Sequence, residues 1–148
     1  MQYLLTLIGT SAIPRYISGQ CRTQATLFPE VLDDFISDEN PIRVIDVFIS
    51  ELVLDISEFQ RVTPKDTGRP GYSPAIMMKL YLYGYLNRIQ SSRRLERETL
   101  RNIELMWLLE LLSPVFKIIA DCRRDNAKRI KNVCRTFVQL CRKMDIFI

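Results

Sequence analysis

The chain has 148 residues, 47% hydrophobic and 26% charged, with a net charge of +4 and no histidine. That length and balance suit one folded domain with a real core, and the missing histidine excludes Ser-His-Asp or Cys-His catalysis and any His-containing zinc site within the chain. The charge is uneven: residues 1–66 hold 5 Lys/Arg against 10 Asp/Glu, whereas residues 67–148 hold 16 against 7, so an acidic half precedes a basic half suited to a polyanion such as nucleic acid.

The N-terminal MQYLLTLIGTSA is apolar but short, with no Lys or Arg before the apolar run. It lacks the form of a secretory signal, and no run approaches the ~20 apolar residues of a membrane span. A soluble, cytoplasmic protein is expected. Residues 1–26 read as an irregular arm. Acidic helices are expected over 29–58. In PEVLDDFI, Val31, Leu32, Phe35 and Ile36 share one face; Asn40 then caps a helix with Pro41 at its first position, the place that favours proline. Ile42, Ile45, Phe48, Ile49, Leu52 and Val53 make its apolar stripe. The carboxylates Asp33, Asp34, Asp38 and Glu39 suggest a metal, but a solvated face with favourable charge near a helix start explains them more simply.

Residues 60–72, QRVTPKDTGRPGY, form a Pro/Gly-containing linker. A basic helical part follows over 73–145. Ser73 caps a helix with Pro74 at its first position, and AIMMKLYLYGYLNR is apolar nearly all round, as in a helix buried within a bundle. Tyr81, Tyr83 and Tyr85 alternate like a strand, yet the capped start and the length favour a helix. NIELMWLLELL is a further short apolar helix, and Ser113–Pro114 begins another element. A long helix is expected from about Asp125 to Met144. Its apolar side carries Ile130, Val133, Cys134, Phe137, Cys141 and Met144, so two of the four cysteines (Cys21, Cys122, Cys134, Cys141) read as core residues. Neither a disulfide nor a metal site is expected.

Three basic surfaces stand out. In RIQSSRRLERETLR, Ser91 and Ser92 are natural N-caps, which places Arg93 and Arg94 against the positive end of a helix dipole. Arg88, Arg93, Arg94, Arg97 and Arg101 face only Glu96 and Glu98. A phosphate at the helix start resolves that conflict; a merely solvated arginine face is the alternative. Arg69, in TGRPGY, suits a minor-groove arm, although a plain turn accounts for it as well. Arg124, Lys128, Lys131 and Arg135, with Gln139 and Arg142, fall within roughly 80° on one face of the last helix.

Together, RTQATLFPE (22–30), NPIRVIDVF (40–48), TGRPGYSP (67–74), KLYLYGYLNRIQSSRRLERET (79–99), RNIELMWLLELLSP (101–114) and IADCRRDN (119–126) resemble the N-terminal domain of bacterial insertion-sequence transposases of the InsH type. The resemblance runs from about Tyr16 to Asp145. It implies an all-α fold, a compact multi-helix bundle over 27–148, preceding a DDE catalytic domain that holds divalent metal with two Asp and one Glu. The chain stops at Ile148, so the expectation is a truncated copy: a DNA-binding module, not an enzyme by itself, with no cofactor of its own and metal confined to the catalytic domain. The implied partner is double-stranded DNA, the terminal repeats of the element, with homo-oligomer formation possible and no membrane. The alternative is a dimerisation module without DNA contact, using the acidic helices and LMWLLELL. Asp121 is read as an ion-pair partner of Arg124 or Arg123. Against the family pattern, Ile118 replaces a capping Thr, Cys122 a packed Phe, Val115 an Asp and Ser73 a His.

Overall fold

The computed structural model describes residues 16–24, 31–52 and 71–146. Among these the fold is all-α, with six α-helices: α1 (Pro41–Glu51), α2 (Pro74–Leu86), α3 (Ser92–Arg101), α4 (Ile103–Leu108), α5 (Phe116–Asp125) and α6 (Ala127–Lys143). Linker residues 60–70, Arg69 among them, lie outside the described residues.

The helix starts follow local chemistry. Asn40 Oδ1 accepts from the Ile42 amide at 2.9 Å and Ser73 Oγ from the Ile76 amide at 3.2 Å, each with proline as the next residue. Caps of this kind satisfy backbone donors that a helix start leaves open. Asn102 caps α4 through the Glu104 and Leu105 amides, and its Nδ2 donates to Tyr83 Oη at 2.8 Å. The cap therefore also braces α4 against α2.

The core is built around α2, which packs against α1, α4 and α6. Contact on several sides explains why it is apolar nearly all round: Met78, Leu80 and Leu82 are fully buried, and Tyr81 and Tyr83 nearly so. The three tyrosines belong to the helix, and Tyr85 alone of them is exposed. On α1, Ile42, Ile45 and Ile49 are buried. Phe48 meets Phe137 of α6 edge-to-face at 5.0 Å between ring centroids, a favoured aromatic geometry. Cys134 and Cys141 are buried free thiols, and burial pushes Cys134 up to about 11.

Two charged side chains are buried among the described residues, Glu98 on α3 and Lys79 within this core. The Lys79 side chain is 7% exposed, and its Nζ donates to Asp46 Oδ1 at 2.7 Å. The other Asp46 oxygen accepts from Arg22 at 3.1 Å. Arg22 lies over the Trp107 ring at 4.2 Å, Arg43 lies over the same ring at 5.0 Å, and Trp107 Nε1 donates to Asp33 Oδ1 at 2.8 Å. Arg43 pairs with Asp33 at 3.1 Å.

Several expectations need correction. PEVLDDFI does not give an α-helix among its described residues; only a 3-10 turn forms over Leu32–Phe35, and Phe35 is exposed. Asp33 lies in the first turn of that segment, partly exposed as expected, and is also held by Trp107 and Arg43. Within LMWLLELL, Leu105, Trp107, Leu108 and Leu109 are core, while Leu111 is exposed. After α4 the chain reverses through Glu110 and Leu111 at φ 54° and 62°. The last helix runs over Ala127–Lys143 much as expected, but the break at Asn126, where φ is −124°, puts Arg124 on α5 and off the face expected of it with Lys128. Ile118 is not a cap position either. The N-cap of α5 is Val115, with no side-chain hydrogen bond.

The segment 16–24 is docked rather than free. Ile17 N donates to Gly71 O and Gln20 N to Glu110 O, both at 2.9 Å. A Cβ on Gly19 would stand 2.5 Å from the Glu110 carbonyl oxygen, so only glycine fits there.

Two stability outcomes follow. Asp46→Ala leaves the Lys79 ammonium buried without its partner and should cost about 3–5 kcal/mol in urea unfolding, whereas Lys79→Met should cost far less, because Asp46 retains Arg22. Val115→Asp supplies the absent cap of α5 and should stabilise by ~1 kcal/mol, read as a higher urea midpoint at unchanged slope.

Candidate nucleic-acid interface

α6 is amphipathic, and its two sides have separate uses. Phe137 and Cys141 face the core, while Lys131, Arg135 and Arg142 stand one or two turns apart on the outer side. Opposite them, α2 ends in a tight reversal. Ile89 N donates back to Gly84 O at 2.8 Å while Arg88 takes φ 56°. This is the left-handed helix stop normally occupied by glycine, and a side chain there costs about 1 kcal/mol. The same six-to-one closure recurs after α4, from Leu111 N to Met106 O with Glu110 left-handed, and after α6, from Ile146 N to Cys141 O with Asp145 left-handed.

Between the end of α2 and α6 lies a groove of about 1130 Å³. Five cations line it: Arg88, Arg123, Lys131, Arg135 and Arg142, with no Asp or Glu among the described lining residues. Leu86, Ile89, Ile130 and Val138 supply apolar lining. Arg123 reaches it from α5; its guanidinium lies 5.4 Å from the Tyr81 ring centroid and donates to the Gln90 carbonyl, fixing the 87–90 loop. Gln90 lines the groove and directly precedes Ser91, the cap of α3, so the groove leads to the start of that helix.

The expected contact residues thus separate into groups. Arg88, Lys131 and Arg135 come together in the groove. Lys128 is exposed on the first turn of α6, outside the groove lining. On α3, Arg93 stacks on the Phe116 ring at 4.1 Å, a cation–π contact that offsets its place at the positive helix end. Arg94 and Arg97 are exposed and form no ion pair among the described residues. Arg101 Nε donates to Glu98 at 3.0 Å, and this bond, with Arg94 nearby, holds the Glu98 carboxyl below the usual carboxylate range. Arg124 pairs with Asp121 at 3.3 Å and Asp125 at 3.2 Å. Asp121 is therefore the ion-pair partner expected of it.

Arg142 shares the basic face in the periodicity without standing among the expected contacts, and the sequence offers Arg123 only as a partner for Asp121. The groove role of Arg123 depends on a contact spanning 33 residues of sequence, which no local pattern signals. Tyr85 was missed because its helix reads as wholly buried, yet it is 58% exposed and lines the groove.

A helical body with a basic groove that no carboxylate lines among the described residues is electrostatically suited to a polyanion. The chain belongs to the family described as "Transposase domain (DUF772)", which it matches over residues 30–125. No curated protein and no solved structure matches it significantly. The matched segment includes the α2 wall of the groove and Arg123; the α6 wall lies beyond it.

Arg88→Gly should relieve the left-handed strain and raise stability by about 1 kcal/mol, measured by thermal or urea unfolding.

Proposed function

We propose that the chain is the DNA-binding N-terminal module of a bacterial insertion-sequence transposase of the InsH type, recognising the terminal repeats of its element. The five-cation groove without a carboxylate carries this reading. Phosphates neutralise such a cluster, and the released counterions supply salt-dependent affinity. Arg94 and Arg97 on α3 extend the same surface past Gln90, and Lys128 extends it along α6. In this reading the described residues bind DNA and do not cut it, and the metal-dependent strand chemistry belongs to a catalytic DDE domain. Arg101 and Arg124, already paired with carboxylates, contribute least. Arg69 serves as a minor-groove arm at the linker.

Fluorescence anisotropy with the terminal repeat and a scrambled duplex, from low to physiological salt, tests this. Binding should weaken steeply with salt, and Lys131→Ala and Arg135→Ala should each lower the salt slope by about 1. Arg88→Gly should bind more weakly although it folds more stably. A folded chain that binds neither duplex, or variants with an unchanged slope, overturns the assignment.

A further inference from the structure

The groove contains more than duplex backbone binding requires. A duplex held by its phosphates is met by cations and hydrogen-bond donors, yet here apolar side chains line the space between the basic residues. Tyr85 adds an aromatic ring that is 58% exposed on the α2 wall. Phosphates give such a ring nothing to stack on; an unpaired base does. Proteins that hold single strands combine a basic track for the backbone with aromatic faces for the bases. A volume of about 1130 Å³ is of the order that encloses a drug-sized ligand, too small to enclose a duplex and ample for a short stretch of unpaired strand. The loop side is also held in place, because Arg123 fixes Gln90 and the helix stop fixes Arg88.

Building on the DNA-binding reading, we infer that the groove between α2 and α6 takes an unpaired nucleic-acid strand, with one base stacked on Tyr85 and its phosphates along Arg88, Lys131 and Arg135. Duplex DNA lies across the mouth of the groove, its phosphates on the lining cations and on Arg94, Arg97 and Lys128 beyond it, and a frayed or single-stranded end enters between the walls.

The test uses the full chain with four labelled probes: a blunt duplex, the same duplex with a short single-stranded extension, that extension with abasic sites, and the free single strand. The extension should tighten binding about tenfold, the worth of one stacked base. Abasic sites and Tyr85→Ala should each remove that gain, and Tyr85→Phe should keep it. Circular dichroism confirms that the Tyr85 variants are folded. Equal binding of blunt and extended probes, still sensitive to Lys131→Ala, overturns this inference and leaves the duplex reading standing. A gain from the extension that survives Tyr85→Ala overturns the stacking assignment. Failure to bind any probe overturns both readings.

Discussion

The ammonium of Lys79 is the constraint around which the rest of the structure is arranged. It sits on the central helix, almost without solvent, and Asp46 answers it across α1. A buried charge is tolerated only when paired and hydrogen-bonded. Here the pairing extends outward: Asp46 holds Arg22, Arg22 lies on Trp107, Trp107 donates to Asp33, and Asp33 holds Arg43. Segments 22, 33, 43–46, 79 and 107 are thereby joined in one polar chain that crosses the apolar core. Apolar packing tolerates small slips between helices, whereas this chain admits one register of α1 on α2.

The groove depends on that register indirectly. Its α2 wall is positioned by the central helix and its α6 wall by Phe137 against Phe48 of α1. Neither wall makes a site alone. The cations are concentrated where the fold has no carboxylate to offer, while elsewhere Glu98, Asp121 and Asp125 pair with the local arginines. Arg88 shows the tension between fold and site, since it holds a backbone position suited to glycine and places a guanidinium in the groove. Strained positions of this kind gather at functional sites.

Much of this was legible in the sequence because the governing interactions were local. Asn40, Ser73 and Ser91 cap the helices they were expected to cap, and the apolar stripes of α1 and α6 carry buried core residues. What periodicity does not carry is the break at Asn126, where the side-chain amide donates to the Cys122 carbonyl and α6 starts anew. Nor does it distinguish an arginine stacked on Phe116 or paired with Glu98 from one left to solvent. The arginines at 93–101 stand out in the composition, yet α3 holds part of its charge in such contacts. The groove instead draws on α2, the 87–90 loop, α5 and α6, and only tertiary packing brings those together.

Trp107 is the chain's sole tryptophan, and it is clasped by the guanidinium groups of Arg22 and Arg43 with its indole N–H held by Asp33. Its near-ultraviolet absorption and emission come from this single junction of four chain segments. The molecule therefore carries its own optical gauge: light collected from one indole reports whether the N-terminal segment is seated on the helical body, with no label attached.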